Sequence, residues 1–310
     1  VLISIPSSFN ISTLLSGQSL VGDEMGWTLD EMIAVVDKMP ADTQVMQYIT
    51  KDNLLSMSLI FNEETYINWS TGECSFDTEE FKQVLEFANR FPAEYNYDEE
   101  QPSMPELVRE GKLLLNDITL SDIAFYSIYE QIWGEPVTCI GYPSATTNGS
   151  SVRGYTALGM NSNSKQKEGA WEFLEYQVAQ SSWDDRNSWG LPIKKAELDK
   201  LFEDAMTPEY QLDQNGEKML DENGEPITNS KGGYGWGNSN ETFEFFAATQ
   251  KQVDDIKEVI YNTTTRYNYD TQLMNIIMEE AKPFFLGQKS VDEVTDIIQS
   301  RVQIYVNESR

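Results

Sequence analysis

The sequence contains no histidine. That removes Ser-His-Asp and Cys-His catalysis and the commonest protein ligand of zinc and haem. Cysteine is nearly absent as well. Cys74 and Cys139 fit no metal spacing and cannot form a disulfide framework, so they read as two lone buried thiols, with one bridge between them as the alternative. Basic residues are scarce: Lys+Arg 22 against Asp+Glu 51, a formal net charge of -29. Such a surface repels phosphate backbones and anionic membranes, so nucleic acid is not an expected partner. No hydrophobic run approaches the roughly 20 residues of a membrane span. The opening VLISIPSSFNIST has no basic start and too short an apolar run for a signal peptide; it reads as a buried strand entering a turn.

What is present suffices for a large core. Hydrophobic residues make up 40% and aromatics 12% of 310 residues, enough for one large domain or two smaller ones. Gly26 to Met39 carries Thr28 and Glu31 at capping-box spacing ahead of an apolar helical repeat. Further helices are expected over Lys51–Phe61, Glu79–Phe91, Pro105–Gly111, Asp122–Trp133, Ser164–Gln180 and Lys195–Met206. The C-terminal part adds Asn240–Tyr261, Asp270–Phe285 and Ser290–Asn307, the last opened by a Ser290/Glu293 capping box. Strands are expected at Lys112–Asn116, Val137–Tyr142 and Tyr155–Asn161, and TTNGSS (Thr146 to Ser151) is the most linker-like stretch. Short strands separated by helices predict a helix-rich α/β fold with a parallel or mixed sheet.

Chemistry-bearing pairs have simple explanations. Asp184 with Asp185 and Asp254 with Asp255 could serve a glycosidase, but solvated charge explains them better. DQNG at Asp213 and DENG at Asp221 share the opening of calcium loops but lack the later acidic positions, and read as Asn-Gly hairpin turns. Sequons occur at Asn10, Asn68, Asn148, Asn240, Asn262 and Asn307, which matter only in a eukaryotic secretory pathway. More specific are aromatics in turn or glycine-rich settings: Trp189 before Gly-Leu-Pro, Tyr234 and Trp236 in KGGYGWGNSN, and Tyr155 after TTNGSSVRG. Such rings need a neighbouring domain or a ligand to cover them, and sugar faces stack well on them. Trp183, near a helix end, reads as packing.

Four runs then carry a family resemblance. GYTALGMNSNSKQKEGAWEFLEYQVA, SWGLPIKKAELDKL, WSTGECSFDTEEFKQVLEFANRF and EEAKPFFLGQKSVDEVTDIIQSRVQIYVNE resemble, in the family's own order, segments of the carbohydrate-type solute-binding proteins of ABC importers. These are the maltose-binding-protein-like group, especially the lipoproteins of Gram-positive bacteria. The resemblance implies a periplasmic-binding-protein-like (type II) architecture of two lobes joined by crossing strands, with sugar held between them. On that reading 1–150 is the first part of the second lobe, 151–206 returns to the first lobe, and 207–310 completes the second. Val1–Ser12 would be a crossing strand.

The same resemblance implies an incomplete N-terminal lobe, because family members carry most of it, a signal peptide and a lipid-anchored Cys ahead of this point. Ligand contacts are expected from Trp189, Trp236, Tyr234 and Tyr155 by stacking, and from Asn116, Asp117, Ser7 and Ser8 by hydrogen bonding. No cofactor and no metal are expected. The implied protein is a non-enzymatic extracellular sugar receptor, its partners a sugar or oligosaccharide and the permease subunits, with membrane contact only through a lipid anchor that this chain does not contain. The alternatives are a glycosidase or lyase with an aromatic cleft, a receptor for a peptide or polyamine, and an acidic surface scaffold.

Overall fold

The computed structural model describes residues 3–6, 8–17, 26–96, 102–154, 157–180, 190–236 and 241–310, with the backbone alone for 3–10, 157 and 177–180. In chain order the elements are β1 (Ile3–Pro6), β2 (Ser8–Gly17), α1 (Leu29–Val36), α2 (Lys51–Tyr66), β3 (Ile67–Asn68), β4 (Glu73–Cys74), α3 (Glu79–Ala88) and α4 (Met104–Arg109). There follow β5 (Asn116–Leu120), α5 (Ala124–Trp133), β6 (Val137–Cys139), β7 (Ser151–Gly154), β8 (Ala157–Met160), α6 (Lys167–Gln180) and β9 (Leu191–Pro192). The rest comprises α7 (Lys195–Met206), β10 (Gly232–Gly235), β11 (Thr242–Phe245), α8 (Gln250–Asn262), β12 (Thr265–Arg266), α9 (Thr271–Phe285) and α10 (Val291–Ser309).

Strand β2 organises the molecule. Its residues Ile11 to Leu15 pair with β5, Phe9 to Ser12 with β7, Leu15 to Gly17 with β6, and Ser8 and Phe9 with β9. Since Phe9 is paired on both sides, as are Ile11 and Leu15, β5 and β9 flank one edge of β2 while β7 and β6 flank the other. Parallel pairing of β12 with β7 completes a six-stranded, mainly antiparallel sheet. Alternation along β2 sends Ile11 and Leu15 into one core and Leu14 into another. The first core, around Tyr126, Ile118, Phe202 and Val253, is built with α4, α5, α7 and α8. The second, around Phe76, Phe81, Leu55, Ile277 and Val302, is built with α1, α2, α3, α9 and α10. Helices thus cover both faces of one sheet.

A smaller unit stands apart. Among the described residues β1 pairs only with β8, and α6 packs on β8. Leu174 is buried, yet Trp171, Phe173 and Tyr176 are 45%, 56% and 58% exposed. Among the described residues, neither core includes one of this unit.

Several expectations are corrected. The linker-like stretch around TTNGSS is tightly packed: Ser150 is buried, its hydroxyl meets Thr13 Oγ1 at 2.8 Å, and Tyr142 donates its N–H to Gly149 O. A Cβ on Gly149 (φ 66°) would sit 1.8 Å from Tyr142 O, so glycine allows two chain segments to touch. The strand expected at Lys112–Asn116 is displaced to β5, and β10, β11 and β7 are additional. The helix expected over Asn240–Tyr261 begins at Gln250, with Thr249 as cap. Of the 151–206 stretch, β7 and β9 lie in the large sheet and Leu198 and Phe202 in its core, while β8 and α6 belong to the smaller unit.

Candidate functional site

The chain crosses from the smaller unit to the large sheet between Pro6 and Ser8. Ser8 pairs with Pro192, Phe9 with both Leu191 and Gly154, and Asn10 with Arg153. Ser7, Tyr155 and Trp189 lie outside the described residues, as does the Ser8 side chain. The described backbone nearest to them in sequence, at Ser8, Gly154 and Leu191, meets at this crossing.

β12 runs parallel to β7 with Arg266 beside Val152, so its continuation, Tyr267 and Asn268, heads for the same end of the sheet. Tyr267 donates its N–H to Val152 O at 2.9 Å. The Arg153 guanidinium lies 5.0 Å from the Tyr267 ring centroid, a cation–π contact that holds the fork in place. Beside them is a cavity of about 300 Å³ lined by Phe61, Glu63, Trp69, Thr147, Arg266 and Asn268 among others. Glu63 is fixed from two directions, accepting from Trp69 Nε1 at 2.6 Å and from Asn268 Nδ2 at 3.0 Å.

The wall beside the cavity is set by a break in α2. Asn62 leaves helical geometry (φ -131°, ψ 22°), and its amide donates to Ser58 O at 3.1 Å and Pro143 O at 2.9 Å. The helix is thereby tied to the loop that follows Tyr142. Tyr142 stacks on Phe61 at 3.9 Å between centroids and its hydroxyl bonds to Asp117. Although Asp117 as a whole residue is exposed, burial of its carboxyl beside Tyr142 holds it above the usual aspartate range, with the Tyr142 bond acting against that shift. The same burial, then the Asp117 charge, pushes the Tyr142 hydroxyl well up.

Asn116, Tyr234 and Trp236 converge elsewhere. Asn116 hydrogen-bonds to Tyr129, whose hydroxyl is pushed up by burial despite that bond. Trp236 meets Tyr129 edge-on at 5.6 Å, Tyr234 meets Phe125 edge-on at 5.2 Å, and the two rings lie 6.4 Å apart. Tyr234 is 47% exposed and Trp236 half-buried. Asn116 stands opposite Leu15, seven positions along β2 from Ser8, roughly 23 Å at about 3.3 Å per residue. Asp117, paired with Leu14, turns to the opposite face of the sheet from Asn116. The described predicted residues therefore separate into Asn116, Tyr234 and Trp236 around α5, and Asp117 on Tyr142.

Sequence reasoning missed Glu63, Trp69, Arg153, Arg266 and Asn268, which no local motif links. It also missed Tyr48, an exposed non-glycine residue at φ 61° whose ring meets Tyr95 edge-on at 4.6 Å; strain of that kind collects at binding loops. Of the carboxylate pairs, Asp184 and Asp185 lie outside the described residues, while Asp255 is bound by Lys251 at 2.7 Å and Tyr126 at 3.1 Å and Asp254 by Gln250 at 2.8 Å. Cys74 and Cys139 are free thiols, both pushed up by burial, Cys139 to about 12. Among the described residues no group of acids and cysteines could hold a metal ion, and no helix is long and apolar enough to cross a membrane.

No family model matches the sequence, and no curated protein does. Solved structures match nearly the whole chain. A periplasmic oligogalacturonide-binding protein from Yersinia enterocolitica is 12% identical with a TM-score of 0.54, covering 99% of this chain and 73% of its own. An ABC-transporter solute-binding protein from Thermotoga lettingae TMO, bound with α-D-tagatose, is 12% identical at a TM-score of 0.50, covering 98% and 72%. A de novo designed cysteine esterase, ECH19, is 12% identical at a TM-score of 0.52, covering 99% and 72%. At these identities the likeness establishes the fold, which is periplasmic-binding-protein-like as expected, and leaves the choice between binding and chemistry to the site.

Proposed function

We propose that the chain is a saccharide receptor that hands its ligand, unchanged, to an ABC importer. The observation that carries this reading is the strand crossing with a polar, aromatic-lined cavity beside it, on a fold shared with solute-binding proteins. Indole and phenol faces suit pyranose rings, and paired hydroxyls suit the Glu63 carboxylate and the Asn268 amide. Trp189 and Tyr155 are assigned as stacking residues, with Ser7 and Ser8 as hydrogen-bonding partners. Asn116, Asp117, Tyr234 and Trp236 are assigned to the outer walls, because their contacts run to protein.

The division 1–150, 151–206 and 207–310 is proposed as the passage between the two lobes, its returning part carried by β8 and α6. Ligand bound at the crossing would favour a closed arrangement of the lobes, and the closed form would dock on the permease. The receptor is assigned to the outer face of a bacterial membrane, held there as a lipoprotein of the Gram-positive type. Intrinsic tryptophan fluorescence titrated with starch- and plant-type oligosaccharides tests the reading, with chromatography of the recovered sugar. A saturable shift with one class, sugar recovered intact, and loss of binding in W189A are expected. Flat titrations across the panel, or cleaved sugar, would sink it.

A further inference from the structure

Asn62 lines two cavities, the one beside the crossing and another of about 200 Å³ walled by α1, α2 and α3. Leu29, Val84 and Pro143 give this other cavity apolar walls, and Asp30, Tyr66 and Glu80 line it with polar groups. No lysine or arginine is among its described lining residues. Tyr66 ends α2 with only 6% of its surface exposed. Its ring packs on Phe76 and Phe81, at 5.5 and 5.3 Å between centroids. Its hydroxyl has no hydrogen-bond partner among the described residues, yet it is not sealed in like the unsatisfied hydroxyls of Ser16 and Ser151. What it keeps open therefore faces the cavity that Tyr66 lines. Burial pushes this hydroxyl up to about 12 and the Glu80 charge adds to the shift, so Glu80 stands within electrostatic reach of it.

The carboxylates gather at the same rim. Glu80 and Gln83 are one turn apart on α3 and share its face, and Gln83 Nε2 donates to Asp30 Oδ1 at 2.5 Å. The other Asp30 oxygen and the whole Glu80 carboxylate have no donor among the described residues. Lys82 is held by Glu79 at 2.8 Å and Asp292 at 2.6 Å. The start of α1 is closed by Glu31, which accepts from Thr28 N at 2.7 Å and from its hydroxyl at 2.9 Å. The free polar atoms at the rim are thus acceptor oxygens beside apolar walls, and a nearly buried phenol without a partner costs the fold a hydrogen bond that a ligand would restore. An ammonium group carries three donors and no acceptor, and its bonds to carboxylates are charge-assisted. We propose that this cavity is a further binding site, taking a small primary alkylammonium ion. Its charge would rest on Glu80 and Asp30, one N–H on the Tyr66 hydroxyl, and its stem along Leu29, Val84 and Pro143. The site is separate from the crossing and does not depend on the saccharide reading.

The test is ligand-observed NMR titration of the full chain with n-hexylamine, charged at neutral pH, and with 1-hexanol, which has the same stem without the charge. The amine is expected to saturate and to bind at least about tenfold more tightly than the alcohol. E80Q should weaken it about tenfold and Y66F about threefold. D52N, which removes an exposed carboxylate elsewhere on α2, should leave it unchanged. Since the Tyr66 hydroxyl has no partner in the protein, Y66F should also leave the melting temperature where it is. An alcohol that binds as tightly as the amine, or amine binding that survives E80Q, overturns the proposal. So does an equal loss in D52N, which would show diffuse attraction to an acidic surface, or a fall in the Y66F melting temperature, which would show that the hydroxyl serves the fold. Each of these outcomes leaves the saccharide reading untouched.

Discussion

At the scale of single residues, the helix caps show how closely the chain follows local rules. Ser290 and Glu293 satisfy each other's orphan groups: Glu293 N donates to Ser290 Oγ at 3.2 Å, and the Glu293 carboxylate accepts from Ser290 N at 2.8 Å and Oγ at 2.9 Å. Those bonds, the backbone one foremost, hold the Glu293 carboxyl below its ordinary value of 4.5, and Glu31 and Glu106 are lowered in the same way by Thr28 and Ser103. A carboxyl lowered on folding contributes stability that is complete above its unfolded value and is lost as pH falls through the lower folded value. Acid should therefore loosen α1, α4 and α10 below pH 4.5. In E293Q, chemical denaturation followed by circular dichroism should show a shallower loss of stability over that window. S290A should cost about 1 kcal/mol at neutral pH. An E293Q profile that overlays the parent would mean that the cap does not couple to the titration.

At the scale of elements, what the sequence revealed depended on whether the signal was local. Capping boxes and apolar repeats fixed α1, α3, α7, α9 and α10 to within a few residues, because their determinants lie inside each helix. Strands fared worse. Leu113, Leu114 and Leu115 look like strand material, but they are buried between the two cores, where Leu114 and Leu115 bond to Gln44 and Val45. The alternation that marks the ladder starts at Asn116 and buries Ile118 and Leu120. The β10–β11 hairpin was hidden because glycine-rich KGGYGWG has little strand propensity and its register is set by packing on α5, where Gln131 donates to Glu244 O at 2.9 Å. Of the site, the crossing was legible through the family resemblance. Glu63, Trp69, Arg153, Arg266 and Asn268 were not, since Glu63 and Asn268 are 205 residues apart and only the fold joins them. The same distinction separates two tryptophans in function. Trp236 is packed edge-on against Tyr129, so W236A should lower stability by about 2 kcal/mol in denaturant with sugar affinity unchanged. An affinity loss in W236A without a stability loss would move it from the wall into the site.

At the scale of the whole molecule, the two cores share one sheet while charge is spread against them. Apolar side chains from both faces of β2 tie the helices of each layer to the same strand, so the large lobe should unfold as a unit. Over that body lie Asp+Glu 51 against Lys+Arg 22, an excess that the described ion pairs do not cancel. Most of those pairs are at the surface, such as Arg90–Asp37 and Lys112–Glu110, where a pair contributes roughly 0–1 kcal/mol. Repulsion summed over the excess carboxylates reaches further than any single pair, because the Debye length is about 30 Å at 0.01 M salt and about 8 Å at 0.15 M. Adding salt should therefore relieve more repulsion than it weakens attraction. The melting temperature at neutral pH should rise by about 2 °C or more between 0.01 and 0.15 M sodium chloride. A fall over that range would mean that the surface pairs outweigh the net charge, and the excess acid would then have to be locally compensated by contacts such as Arg109 with Glu241 and Arg301 with Glu279 and Glu280.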